Sequence, residues 1–210
     1  MNRPSPLLKW VFAVAALGVI HAQSDRGTQL VEQMRGLSMQ YAGIFRSDGS
    51  FIQIEQRKQQ IRDELRELGV EAMPALVHAL SDRDVQMRRN AALVLIDLGG
   101  GYSTRPRVKV DIRRALPALI KATEDNDADV RGWAAHAIAE IGPDAKDAIS
   151  ALLRLLNDRA EGPRNTSCIA LGRIGPAARD ALPALREALN DPSKDVRGFA
   201  QHAIEQIDRN

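Results

Sequence analysis

Apolar residues recur in one pattern four times after about residue 70. Four segments align without gaps and start 43, 33 and 33 residues apart: Ala72–Gly99, Ala115–Gly142, Ala148–Gly175 and Ala181–Asp208. Each segment opens with a short apolar run, mostly Ala-x-Pro-Ala-Leu, passes an aspartate, and continues with apolar side chains at the spacing of an α-helix. The pattern predicts four helical pairs, each consisting of a short first helix, a turn and a longer second helix.

One stripe of the second helix keeps its register in all four segments. Small residues occupy the middle of the stripe, and larger ones lie at its end. Its members are Val130, Ala134, Ala137, Ile138 and Ile141 in the second segment, Met87, Ala91, Val94, Leu95 and Leu98 in the first, Pro163, Ser167, Ala170, Leu171 and Ile174 in the third, and Val196, Ala200, Ala203, Ile204 and Ile207 in the fourth. Because one pair cannot bury such a stripe alone, whereas stacked pairs can, the sequence predicts an all-α fold, an α-solenoid of helical hairpins.

Two further helices are predicted before the repeats, at Thr28–Tyr41 and Ile52–Leu68, with a turn at Ser47–Ser50 between them. The second of these helices ends in the manner of a repeat. We therefore expect an N-terminal helical cap at residues 23–69 and the four repeats at residues 70–210.

Glycine and proline mark the predicted breaks in the repeats. Residues 100–109 contain glycine and proline, and they are the ten residues by which the spacing of repeats one and two exceeds 33. We therefore expect an inserted loop there. Gly99, Gly142 and Gly175 are predicted to end the second helices in the left-handed conformation. A proline directly follows two of these glycines and prevents the helix from continuing.

The shared pattern is Ala-x-Pro-Ala-Leu, then Asp, then Val-Arg-x-x-Ala-Ala-x-Ala-Ile-x-x-Ile-Gly. It resembles HEAT repeats, and most of all the short bacterial HEAT-like repeats of the phycobilisome-lyase type, over roughly Leu65–Asp208. The 33-residue period is shorter than the ~40–47 residues usual for HEAT repeats and equals the ankyrin and tetratricopeptide lengths. The signatures of those two families do not occur in the chain. The resemblance implies a solenoid whose second helices line a concave surface.

A ladder of opposite charges runs through the repeats. In each segment an aspartate precedes an arginine by six positions: Asp82 and Arg88, Asp125 and Arg131, Asp158 and Arg164, Asp191 and Arg197. The aspartate lies where a carboxylate accepts N–H groups at a helix N-terminus, and the planar fork of arginine is suited to bridging the carboxylates of adjacent repeats. Similar HEAT proteins carry such a ladder. Because all four arginines share one repeat position, we interpret them as structural residues and not as an anion site.

The histidines and the single cysteine of the repeats form no recognisable catalytic or metal-binding motif. His136 and His202 share a repeat position, but Leu93 and Ile169 fill it in the other segments, and the His-Glu pair of di-iron HEAT-like proteins is absent. Cys168 aligns with alanines and has no base to activate it. We therefore expect a protein without catalytic, metal or cofactor residues. The alternative is an enzyme or enzyme subunit related to bilin lyase-type or di-iron HEAT-like proteins, which likeness of fold does not establish.

The side of the second helices opposite the buried stripe is the candidate partner surface. Its members are Arg89, Leu93, Ile96, His136, Ile169 and His202. A contiguous apolar strip here would bind a protein or peptide along the concave face. Lateral helix packing or the N-terminal cap would instead cover it, and the sequence leaves both possibilities open. A third possibility is a domain that only stabilises a larger assembly of the cell envelope.

The first residues have the composition of a secretory signal peptide. Arg3 and Lys9 accompany the apolar run Trp10–Ile20, and the small residue Ala22 follows. Eleven apolar residues are too few for a membrane-spanning helix, which needs about 20. We expect cleavage after Ala22, or alternatively after Ser24, and a soluble periplasmic or extracellular product; a retained anchor is the alternative. The remaining chain carries 27 basic and 27 acidic residues, so it lacks the positive surface that non-specific nucleic-acid binding requires.

Overall fold

The computed structural model of the protein describes residues 25–37, 50–101 and 110–209. These residues form helices and the turns between them, with no strand among them, which confirms the predicted all-α fold class. The predicted signal peptide and nearly all of the predicted inserted loop lie outside the described residues. The chain divides into two compact units, Met1–Ala75 and Leu76–Asn210.

The described part of the first unit is a pair of helices. Helix α1 spans residues 25–37, and helix α2, Ser50–Leu68, leads into a 3-10 turn at Gly69–Ala72. Both helices begin slightly before their predicted first residues, and the predicted end of α1 lies outside the described residues. Leu30, Val31 and Met34 of α1 and Ile61 and Leu65 of α2 are buried. Polar side chains join the two helices at Arg26–Glu64 and Arg57–Gln33.

The second unit is built from the repeats, and the division between the units falls within the first helix of repeat one. The first helices are α3 (Met73–Ala79), α5 (Leu116–Ala122), α7 (Ile149–Leu155) and α9 (Leu182–Ala188). The second helices are α4 (Val85–Gly99), α6 (Ala128–Ile141), α8 (Glu161–Ile174) and α10 (Lys194–Asp208). Each second helix packs on the second helix of the next repeat, from α4 through α6 and α8 to α10.

The apolar stripe of each second helix is buried, as the periodicity predicts. The middle residues Ala91, Ala134, Ala170 and Ala200 are all at most 2% exposed. Two members of the stripes, Ile141 and Ile204, are partly exposed. Ser167 is the polar member of the stripe, and its hydroxyl donates to the Leu152 carbonyl at 2.5 Å, which satisfies the buried group.

The glycines at the ends of the second helices differ from the prediction. Gly99 is the last helical residue of α4, and the following residue, Gly100, takes the left-handed conformation with φ 102°. Gly142 and Gly175 do have positive φ, but their ψ values of −136° and −142° lie outside the left-handed helical region. That combination is open only to glycine, and it turns the chain directly into the 3-10 turn that precedes the next first helix.

Two glycines are required because neighbouring second helices approach closely. A Cβ atom added to Gly99 would lie 2.5 Å from Cβ of Glu140 on α6. One added to Gly172 on α8 would lie 3.0 Å from Cα of Ala203 on α10. Backbone at that distance cannot move aside cheaply. The small residues of the repeat pattern therefore set the spacing between adjacent repeats.

This spacing predicts opposite effects for the same substitution at two helical glycines. Gly198→Ala lies in open space on α10 and should stabilise the fold by about 0.5–1 kcal/mol, because alanine is the better helix former. Gly172→Ala should destabilise the fold by about 1–3 kcal/mol through overpacking against Ala203. Urea unfolding of the two variants and the parent measures both changes. Equal shifts in the same direction would contradict the close approach of α8 and α10.

Candidate functional site

The turn between the two helices of each repeat is organised by the ladder aspartate. One carboxylate oxygen accepts the backbone N–H two residues further on, at 2.8–2.9 Å, from Asp82 to Asp84, Asp125 to Asp127, Asp158 to Ala160 and Asp191 to Ser193. The ladder carboxylate therefore accepts the N–H of the N-cap residue itself. We had expected it to accept N–H groups of the first helical turn. Side chains at the N-cap perform that second role in three repeats, at Asp84, Asp127 and Ser193.

The ladder arginine is held by its own repeat. Its Nη1 donates to two backbone carbonyls of the preceding turn, at 2.7–3.3 Å. These pairs are Arg88 with Asp82 and Arg83, Arg131 with Asp125 and Asn126, Arg164 with Asp158 and Arg159, and Arg197 with Asp191 and Pro192. The same anchor therefore fixes the guanidinium plane in all four repeats.

The other edge of the guanidinium reaches the next repeat. Nε and Nη2 bind both carboxylate oxygens of one aspartate at 2.6–2.9 Å, from Arg88 to Asp125, from Arg131 to Asp158 and from Arg164 to Asp191. Each pair is largely buried; for example, the side chains of Arg131 and Asp158 are 17% and 9% exposed. Burial alone would raise the pKa of Asp158, but the hydrogen bonds from Arg131 and from the Ala160 N–H, together with the charges of Arg131 and Arg164, hold the pKa below its ordinary value.

Two residues predicted for the partner surface, Arg89 and Ile96, are engaged within the protein. Arg89 is engaged by α6, because its Nε and Nη2 bind the carboxylate of Asp127 at 2.9 and 2.6 Å and Nη2 lies 3.1 Å from Asp129. The hydrogen bond from Arg89 lowers the pKa of Asp127. Ile96 on α4 is 0% exposed. The prediction of an exposed position is therefore wrong for Ile96, whereas Arg89 keeps 28% of its side chain exposed while its guanidinium is paired with α6.

The remaining predicted positions form one line across the second helices. Leu93, His136 and Ile169 are partly exposed and His202 is exposed, one on each of α4, α6, α8 and α10. Below we call these four residues the second-helix line. His136 lies 3.5 Å from Glu140, whose buried carboxylate also accepts from Arg173 of the next repeat. Burial would raise the pKa of Glu140, but these hydrogen bonds lower it overall.

Two aromatic residues next to this line were missed by the sequence reasoning. Trp133 on α6 is partly exposed, and Phe199 on α10 is 38% exposed. They share one repeat position, three residues before the position of His136 and His202, and Asn90 and Thr166 fill it in the other repeats. The alignment of the four repeats could have identified these two aromatic residues, because both fall outside the buried stripe. Large accessible aromatic side chains are common anchors of protein interfaces.

The described residues give little support to nucleophilic or metal chemistry. Cys168 is 0% exposed, and burial raises the pKa of its thiol to about 12, so the reactive thiolate is scarce at neutral pH. His136 and His202 lie on α6 and α10, with α8 between them in the stack. Within the described ranges, no group of three or more His, Cys, Asp or Glu residues is placed to hold a metal ion. In the same ranges no helix has the length and apolarity needed to cross a bilayer.

Stacked helical hairpins joined by an arginine–aspartate ladder define an α-solenoid. The chain belongs to the HEAT-repeat family, since the model for HEAT repeats matches residues 73–166 and 116–205. This confirms the resemblance drawn from the sequence. A comparison with curated protein sequences gives no significant match.

Solved structures share the fold at low sequence identity. An engineered protein is 21% identical with a TM-score of 0.60, over 90% of this chain and 93% of that one. A designed armadillo repeat protein in complex with the peptide (KR)4 is 19% identical with a TM-score of 0.58, over 88% of this chain and 91% of that one. The CpcE–CpcF complex of phycocyanin lyase from Nostoc sp. PCC7120 contains a chain that is 21% identical, with a TM-score of 0.58, over 71% of this chain and 89% of that one.

The ladder predicts a difference in stability between a buried and an exposed ion pair. Arg131→Ala removes a bidentate pair and two bonds to backbone carbonyls, and it should lower the free energy of unfolding by about 1–3 kcal/mol. Arg154→Ala removes an inter-repeat pair to Glu124 whose side chains are 59% and 62% exposed, and it should cost less than about 1 kcal/mol. Urea melts of both variants compare the two losses. Equal losses would mean that the ladder contributes no more than a surface pair.

Proposed function

We propose that this protein is an exported HEAT-repeat scaffold that binds a protein or peptide through the exposed face of its second helices. The observation that carries the proposal is the second-helix line, at which each of the four repeats keeps an accessible side chain at the same repeat position. Leu93 and Ile169 make part of this line apolar, and Trp133 and Phe199 border it. A regular row of such positions suits an extended segment that contacts several repeats in turn.

The kinds of protein with a similar fold support a binding role. The designed armadillo repeat protein was solved with a bound peptide, and CpcE was solved with its partner CpcF. At about 20% identity these likenesses concern the fold, so the occupant proposed here rests on the chain's own surface.

We propose binding without catalysis. Cys168 has no path to solvent in the described structure, and its raised pKa keeps it protonated. Three ladder arginines, Arg88, Arg131 and Arg164, bind backbone carbonyls with one edge and an aspartate with the other, so neither edge is open to an anionic substrate. Stoichiometric iron or zinc in the purified protein would instead favour the alternative of an enzyme or enzyme subunit.

Site-specific photo-crosslinking tests the proposed face. A benzoylphenylalanine placed at Ile169 in the full chain should give a discrete crosslinked adduct in cells that produce the protein. The same residue placed at Arg186, an exposed position on the first helix α9, is the matched control and should give little or none. Adducts from Arg186 alone, or equal adducts from both positions, would contradict a partner on the second helices.

The mass of the exported protein tests the cellular location. With a signal peptide, the protein recovered from the periplasm or medium should begin at Gln23, or at Asp25 if cleavage follows Ser24. Ala22→Arg should block the first cleavage, because the peptidase requires a small residue there. Recovery of the mature region in the cytoplasm with residues 1–22 still attached would contradict export.

A further inference from the structure

The ladder has four arginines but only three aspartate ligands within the described residues. Arg197 is anchored like the other three, with Nη1 donating to the carbonyls of Asp191 and Pro192 at 2.7 and 3.0 Å. In Arg88, Arg131 and Arg164 the opposite edge, Nε and Nη2, binds a carboxylate. Among the described residues no carboxylate binds this edge of Arg197. The fourth repeat thus presents an oriented fork of two N–H donors.

The helix face beside this fork differs from the faces that receive a stacked repeat. Where the first three repeats place Ala92, Ala135 and Cys168, all 0% exposed, α10 has the exposed Gln201. Where they place Ile96, Ala139 and Gly172, it has the exposed Glu205, which accepts a hydrogen bond from Gln201 at 2.9 Å. Burying these two polar side chains under another apolar hairpin would be costly. The arginine fork is retained while the apolar contact beside it is not.

We propose that the Arg197 fork is a binding site for a carboxylate, and that its ligand is an aspartate in the turn before a helix of a partner protein. The three occupied forks indicate what kind of ligand fits. In each of them the ligand is an aspartate that also accepts the backbone N–H two residues further on. A bidentate arginine–carboxylate pair is also the strongest polar contact that this face offers. The site depends on the scaffold role proposed above but uses different residues, so either proposal can fail alone.

Nuclear magnetic resonance of the arginine Nε–H groups tests this site directly. The probe is a capped synthetic peptide that copies Leu189–Asp195, the turn whose Asp191 occupies the fork of Arg164. Added to the isotope-labelled full chain, it should shift the Nε–H resonance of Arg197 and leave that of Arg164 in place. The same peptide with Asp191→Asn should bind at least about fivefold more weakly, because it lacks the charged bidentate acceptor.

Two variants of the protein complete the experiment. Arg197→Lys keeps the charge but loses the fork, and it should weaken binding of the aspartate peptide at least about fivefold. Arg186→Lys on α9 is the exposed control and should leave binding unchanged. Equal binding of the two peptides, no movement of the Arg197 resonance, or an equal loss in the control variant would overturn the proposal. A shift of that resonance with protein concentration alone would assign the fork to a second copy and would also overturn it.

Discussion

The apolar stripe of each second helix has to be covered by the neighbouring repeat, and the rest of the structure depends on this constraint. Fully burying one leucine or isoleucine stabilises a fold by about 1.5–3 kcal/mol, and each stripe contains several apolar side chains. A ladder pair contributes no more than one such residue. Stacking of apolar faces therefore provides most of the stability. It succeeds only where helices come close, as Gly172 does to Ala203 between α8 and α10.

The ladder fixes the register of this stacking. An apolar stripe tolerates a small slide along its neighbour, whereas a guanidinium that binds both oxygens of one carboxylate at 2.6–2.9 Å does not. Arg131 also closes the turn of its own repeat, because it donates to the Asp125 carbonyl while it binds Asp158 of the next repeat. Between repeats one and two there are two such bidentate pairs, Arg88 with Asp125 and Arg89 with Asp127. That interface is also the one interrupted by the ten-residue insertion.

Features that repeat were predictable from the sequence, and features set by the angle between repeats were not. The hairpins, the buried stripe and the ladder follow from periodicity, because identical positions have identical surroundings. Ile96 was assigned to the partner surface because it lies opposite the stripe on a helical wheel, yet it is buried. A wheel does not show which part of the opposite side the next helix covers. Phe199 and Trp133 were overlooked for a related reason, since exposure at their position depends on the same packing.

The ladder also gives the array a direction. All four arginines are anchored by their own repeat, and three of them take a carboxylate from the following one, so among the described residues four forks have three aspartate ligands. A hydrophobic end can be masked by polar substitution, and Gln201 and Glu205 stand where the other repeats carry apolar or small side chains. The arginine cannot be removed in this way without also losing the two bonds that close its own turn. An oriented carboxylate receptor on the fourth repeat is therefore a consequence of how each repeat is held together.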